Sequence, residues 1–257
     1  MAKSEGATLR LVHHLSSSGG TIISKCLAVM PRTVLLSEIH PTTVHRVEFF
    51  PIDPLGQLIW NYPRLAPPID VLYEQFRSRL KPVVDVCASL DKILILRDHS
   101  HSDYLTNQEP AGRLVAALRP AFELRRAATI RDPIDAWLSM TASGFDYHVK
   151  GFDDYCGRVV KFVMDHQDIR FWRYEDFIAR PATVMAELCR HLEVPFDAQF
   201  VSRYNNVTLT GDSGRKPATI TTLPRRQMPD GFLATVRSSR GYGIIAERFG
   251  YDTYAGV

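Results

Sequence analysis

Ser16, Ser17, Ser18, Gly19, Gly20 and Thr21 stand between a short apolar run at residues 8–14 and an apolar helical stretch at about 22–30. A strand, a Ser/Gly turn and a helix N-terminus in that order make an anion site. Backbone N–H groups converge there, and the helix macrodipole adds roughly half a positive charge. Small side chains let a phosphate reach the backbone, and glycine adopts dihedrals that other residues avoid. The chemistry this predicts is binding of a phosphorylated nucleotide; a tight turn without a ligand is the plainer alternative. Set against the pattern GxxxxGK[ST], residues 14–21 carry His14 for the first glycine and Gly20 for the lysine. That lysine reaches the β- and γ-phosphates in nucleotide hydrolysis, so ordinary ATP or GTP chemistry is disfavoured. Lys25 lies one turn into the helix and is expected to point away from the loop.

A second group of reactive side chains falls at 98–103, Asp98-His99-Ser100-His101-Ser102-Asp103, after the apolar run Ile93-Leu94-Ile95-Leu96. HxHxD after a strand is one way to assemble metal ligands, with alternate residues facing one way. The histidine expected directly after Asp103 is Tyr104, and no His or Cys cluster downstream completes a set. Asp98 alone is fit for magnesium, which would suit a kinase had the loop kept its lysine. Glu38 and His40 form a third group after the run at 33–37, and Arg131 with Asp132 a fourth.

These groups must be positioned by something, and the spacing names it. Runs at 8–14, 33–37, 92–97, 124–131 and 169–173 are apolar or β-branched and read as strands, although Arg125 and Arg126 interrupt the fourth. Stretches at 71–80, 111–118, 133–143, 153–165 and 182–192 carry helical spacing or start signals, with Pro133 and Pro181 as start marks. Strands alternating with helices predict an α/β domain in three layers, a mostly parallel sheet with helices on both faces. Ligands of such sheets bind at the carboxyl ends of the strands, where all of these polar groups fall.

Two segments break the rhythm. Residues 48–68 are rich in Pro and aromatics (Phe49, Phe50, Trp60, Tyr62) and read as an insertion on the substrate side. Residues 207–229 mix Gly, Ser, Thr and Pro with Arg215, Lys216, Arg225 and Arg226, and Arg203 lies just before them. They are a solvated surface loop or a basic flap closing on an anion.

The chain has 257 residues, 45% of them hydrophobic, which suits one large domain spanning 1–257. A formal net charge of +3 fits an anionic ligand but, with no Lys/Arg run, gives no sign of nucleic acid. No apolar leader or membrane-length stretch occurs, and Cys26, Cys87, Cys156 and Cys189 form no CxxC pair, so a cytoplasmic protein with reduced thiols is expected.

Several segments together resemble one family, the sulfotransferases that use 3′-phosphoadenosine-5′-phosphosulfate (PAPS). Residues 16–21 resemble their 5′-phosphosulfate loop. Arg131-Asp132-Pro133-Ile134-Asp135-Ala136-Trp137-Leu138-Ser139 matches the RDPxDxxxS pattern of their 3′-phosphate site, and Tyr174-Glu175-Asp176-Phe177 resembles a YEDL segment. Residues 181–197 are similar to the helix and LxxPFD ending that follow it, and residues 211–216 to a late basic loop. The resemblance implies a P-loop NTPase-like sulfotransferase fold and sulfuryl transfer from PAPS, without a metal, to a small-molecule or carbohydrate hydroxyl or amine. It implies that Arg131 and Ser139 hold the 3′-phosphate, that Arg215 and Lys216 add charge, and that Tyr174 touches the adenine. Relatives take their base from a Glu after the second strand or a His after the third. That makes Glu38 the first candidate beside His99, with His40 and His101 behind them. One departure stands out: Ser17 occupies a position where the family usually has Lys or Arg, so the cation must come from elsewhere, Arg97 or Arg215 among the possibilities, or be replaced by backbone N–H groups.

Overall fold

A computed structural model describes residues 6–42, 54–61, 63–106, 112–146, 148–210, 219–221 and 224–252. The elements in chain order are β1 (Thr8–His13), α1 (Gly20–Ala28), β2 (Thr33–Ile39), α2 (Pro54–Asn61), α3 (Ile69–Ser89), β3 (Ile93–Asp98), α4 (His101–Tyr104) and α5 (Arg113–Leu118). Then come β4 (Glu123–Ile130), α6 (Pro133–Thr141), α7 (Phe152–Asp165), β5 (Phe171–Arg173), α8 (Tyr174–Ala179), α9 (Pro181–Leu192), α10 (Phe200–Arg203), α11 (Phe232–Ser238) and α12 (Arg240–Phe249). The strands make one sheet in the order β2-β3-β1-β4-β5, every pair parallel.

Alternation along the strands builds the layers, because successive side chains point to opposite faces. Leu9 and Leu11 of β1, with Leu94 and Leu96 of β3, bury against Tyr73, Leu80 and Val84 of α3 and Leu114 and Leu118 of α5. Val12, Ile95, Ala127 and Trp172 face the other way, onto Ile23 and Leu27 of α1 and Met185 and Leu188 of α9. Ala128 and Ile130 of β4 pack with α6, α7 and α12. The chain leaves β1 toward β2 on one side and reaches β4 on the other, so the order reverses at β1. A crevice opens at the strands' carboxyl ends at such a reversal.

The five strands stand where the periodicity puts them, with ends moved by one or two residues. β4 tolerates its two arginines because both are paired: Arg125 with Glu123 and Glu193, Arg126 with Asp168. The helix expected at 71–80 runs much further, through Pro82 to Ser89. Proline removes one backbone bond and crowds the preceding turn. Burial of Leu80, Val84 and Cys87 on one stripe of the helix holds it together regardless. Within residues 48–68, the described part forms α2 and a short turn at Pro63–Leu65, whereas Phe49, Phe50 and Tyr62 lie outside the described residues. So do Arg215 and Lys216 of the basic segment. The four cysteines are buried thiols, and no described helix is long and apolar enough to cross a membrane.

Candidate active site

The loop after β1 is held in its shape from both sides. Ser18 closes it by donating from its hydroxyl to the Leu15 carbonyl at 2.8 Å, with Thr129 of β4 3.3 Å from the same oxygen. Ser17 at φ 61° and Gly19 at φ 84° both adopt the left-handed conformation. A side chain at Gly19 would meet the Tyr174 ring, its Cβ falling 2.2 Å from Cδ2. A side chain at Gly20 would meet the His14 ring, its Cβ falling 2.3 Å from Cγ. The place of a P-loop lysine is thus filled from beneath by an imidazole. No side chain caps the N-terminus of α1, so its first N–H groups remain for an anion. Lys25 is buried within α1.

Glu38 owes its position to a bulge. β2 pairs with β3 as Ser37 to Arg97 and then Ile39 to Asp98, leaving Glu38 as the extra residue, at φ 59°. A non-glycine residue in that conformation costs about 1–3 kcal/mol. Bulges of this kind re-aim a side chain next to a site. Here the carboxylate turns inward and is only 8% exposed. Its Oε1 accepts from Arg97 Nη2 at 2.7 Å and its Oε2 from His99 Nε2 at 2.8 Å.

Arg97 is the hub. Its Nε donates to His14 Nε2 at 2.7 Å, and its Nη1 to Ser37 Oγ at 2.8 Å and the Thr210 carbonyl at 3.1 Å. Its Nη2 bridges Glu38 and the hydroxyl of Thr21 in the loop, the latter at 2.8 Å. Guanidinium can only donate, so His14 Nε2 is an acceptor and the proton sits on Nδ1, 3.2 Å from the Leu15 carbonyl. Burial, then the neighbouring Arg97 charge, hold the His14 pKa well below its ordinary value. A buried cation therefore touches the loop from β3, although the loop itself carries none at Ser17.

The histidines divide by partner. His99 sits between Glu38 and Ser102, whose hydroxyl lies 2.5 Å from Nδ1. His101 stacks on His99 with ring centroids 3.4 Å apart, and its buried Nδ1 has no hydrogen-bond partner among the described residues. Burial, then the nearby His99, push its pKa well below the ordinary value, leaving a neutral ring. His40 turns away to Asp103, 3.3 Å distant, and to the Thr42 hydroxyl at 3.0 Å. Burial lowers its pKa, but the Asp103 bond and the Asp98 charge outweigh that and the net shift is upward. For Glu38, burial raises the pKa, and the His99 bond with the Arg97 charge more than reverses it. The carboxylate is ionised.

Of the HxHxD run, His99 and His101 stand together but Asp103 does not join them, because residues from His101 onward are helical rather than extended. Asp103 faces His40 and the Gly112 N–H, the latter at 2.9 Å. The closest metal-like grouping is Glu38, His99 and His101, with ligand atoms within 4.8 Å of one another. The Arg97 guanidinium already supplies the positive charge beside that carboxylate. Asp98, the magnesium candidate, lies on the opposite face of β3 from Arg97, where His13 donates to it at 2.9 Å and Ser100 at 2.6 Å.

On the other side of the loop, Arg131 donates to the Ser17 carbonyl at 3.3 Å and stacks over the Tyr174 ring at 4.7 Å. Its Nε is buried without a hydrogen-bond partner among the described residues. Ser139 is buried on α6. Ser16, Ser17, Ser18, Gly19, Gly20, Thr21, Arg131 and Tyr174 thus meet at one place. Sequence reasoning passed over His14, Ser37, Ser102 and Thr210. Parallel pairing of Ser37 with Arg97 was the available signal for the second, since neighbours across a ladder share a face.

No protein-family model matches this chain, and no curated protein sequence does. Solved structures match it in shape. The sulfotransferase domain from the curacin biosynthetic pathway overlays with a TM-score of 0.58 at 14% identity, over 97% of this chain and 99% of that one. The sulfotransferase domain of the Synechococcus PCC 7002 olefin synthase gives 0.55 at 15% identity, over 98% of each chain. Nearly the whole of each domain is matched, and the likeness at this identity is one of fold: the chain folds as sulfotransferases do.

Proposed function

We propose that this protein is a sulfotransferase moving a sulfuryl group from PAPS to a hydroxyl or amine of a small molecule or carbohydrate, without a metal. The observation that carries the reading is Arg97 bonded at once to the anion loop through Thr21 and to the ionised Glu38. A cation and a proton acceptor are thereby held side by side at the head of an uncapped helix. The donor fits the residues present. The free N–H groups of α1 and the small residues 16–21 suit a 5′-phosphosulfate. Arg131, with its open Nε, and Ser139 suit a 3′-phosphate, and Tyr174 offers a ring face to adenine. Arg215 and Lys216 belong to the same reading from the late basic segment.

When bound, the donor supplies an activated sulfuryl group on a phosphate leaving group. The acceptor oxygen or nitrogen forms its bond to sulfur as the bond from sulfur to the bridging oxygen breaks. Glu38 takes the acceptor's proton, oriented by the His99 N–H. All five Arg97 N–H groups are engaged, so Arg97 acts on the charge that develops on the departing oxygen through its buried positive field beside Thr21, the task that a loop cation at Ser17 would perform. His101 stands next in line as proton acceptor, and His40 has a structural part through Asp103.

Thermal unfolding with 3′-phosphoadenosine-5′-phosphate (PAP), ADP, ATP with magnesium, and zinc alone tests the reading. Ligand at about a hundred times its dissociation constant adds roughly 2.7 kcal/mol, which for a chain of this size raises Tm by about 5–10 °C. A rise confined to PAP is expected. No rise with PAP, and one with ATP–magnesium or zinc, would overturn the donor assignment.

A further inference from the structure

Arg225 comes from the basic segment yet offers its charge to the protein rather than to solvent. Its Nη2 donates to Asp132 Oδ2 at 2.6 Å and its Nε to Asp135 Oδ1 at 2.9 Å, with Asp135 Oδ2 a further 3.4 Å from Nη2. The three side chains are 20%, 6% and 18% exposed, so solvent screens the network only in part. Both acids lie at the start of α6, and Asp132 has further constraints. Asp132 caps the helix by accepting the Ile134 N–H at 2.9 Å, while its own N–H donates to Glu175 at 2.8 Å. Asp135 sits one turn further along the same helix.

Arg131 immediately precedes this pair of carboxylates. Among the described residues no acid lies within ion-pairing distance of it; it touches a backbone carbonyl and an aromatic face instead. A guanidinium in reach of a carboxylate forms a strong charge-assisted pair. Arg225 has taken both.

We propose that Arg225 is a positioning residue for nucleotide selection. By engaging Asp132 and Asp135 it keeps Arg131 open for a 3′-phosphate and cancels the negative field those acids would turn on that phosphate. The inference rests on the donor assignment above, since it concerns the same Arg131 site. It makes Arg225 part of the 3′-phosphate site without a contact to the ligand.

The experiment is a pair of affinities, for PAP and for AMP, which differ only in the 3′-phosphate, measured by titration calorimetry on the whole chain. The ratio between them isolates the 3′-phosphate and is insensitive to a general loosening of the fold. Arg225→Met is expected to lower the preference for PAP over AMP at least about fivefold, the low end of ordinary coupling between sites. Adding Asp132→Asn and Asp135→Asn to Arg225→Met removes the acids that Arg225 restrains and is expected to restore the ratio. An unchanged ratio in Arg225→Met overturns the proposal, as does a triple variant that fails to recover it. Should Arg225→Met not fold, Arg225→Gln takes its place and is read by the same two outcomes. A wild-type chain with no preference for PAP overturns the donor assignment and this inference together. Preference in the wild type with none lost in Arg225→Met overturns this inference alone.

Discussion

Arg97 holds five acceptors from five different positions, and replacing it reaches further than removing one charge. Arg97→Met leaves the buried Glu38 carboxylate without its guanidinium and His14 Nε2 without a donor. Transfer is expected to fall at least about a hundredfold, with PAP affinity falling less, because loop backbone and Arg131 still hold the nucleotide. Lysine should rescue little, since its single ammonium cannot span Thr21, Glu38 and His14 at once. Single-turnover rates set beside calorimetric affinities check this; equal losses in both would make Arg97 a binding residue only. Glu38→Gln keeps the shape but cannot take a proton, so transfer should slow by about a hundredfold or more with PAP affinity unchanged. A near-normal rate would move the proton acceptor to His99 or His101. At this scale the site was partly legible. Glu38, His99 and Arg97 could be read as polar residues ending strands. That Glu38 sits in a left-handed bulge could not, because a bulge is a property of two strands in register and leaves no mark on one.

The elements hold the loop by close packing against two glycines, and this can be tested by adding one methyl group. At Gly20 a Cβ would fall 2.3 Å from the His14 ring, whereas at Gly243, in α12, nothing lies within 4 Å. Gly20→Ala is expected to cost about 1–3 kcal/mol through overpacking and to abolish PAP binding. Gly243→Ala, exposed and mid-helix, should instead add about 0.5–1 kcal/mol. Chemical denaturation of both variants makes the comparison, and equal effects would contradict the placement of His14. The strand–loop–helix unit was legible because its apolar run, small residues and following helix are contiguous. The true length of α3 was not. Pro82 is a local stop signal, and only the sheet beneath Val84 and Cys87 overrides it. The alternation of the HxHxD run ends for the opposite reason: it needs β3 to continue, whereas the chain turns helical at His101.

The whole molecule carries buried histidines whose protonation opposes folding. His14 and His101 lie well below their ordinary pKa, and His166 is pushed down to about 4, in each case by burial first. A group that the fold keeps neutral binds more protons when unfolded, so stability rises with pH between its folded and unfolded values. As pH falls below about 6.5, the unfolded value for histidine, these three contributions are lost. His40 works in the other direction, because its raised pKa contributes stability below that value and loses it as pH climbs through the folded one. Asp98 and Glu38, both lowered despite burial, add a further loss once pH drops below the ordinary carboxylate range. Among the described residues, three such histidines against one predict that Tm declines from pH 7 to pH 5, before the carboxylates contribute. A flat Tm across that interval would mean that the histidines are less enclosed than they stand here. The parallel sheet and its layers were legible from alternation of strand and helix, but which histidines would be enclosed depended on strand order, which periodicity does not encode.

The imidazole under Gly20 also shapes which neighbouring sequences are reachable. Gly20→Lys alone, the step toward a phosphate-gripping loop lysine, drives a side chain into the His14 ring. Replacing His14 alone by glycine strips Arg97 of an acceptor and loosens the hub it anchors. Each change is harmful without the other. The two sequences are separated by a fitness valley rather than a slope, and the present loop chemistry is locked in against single substitutions.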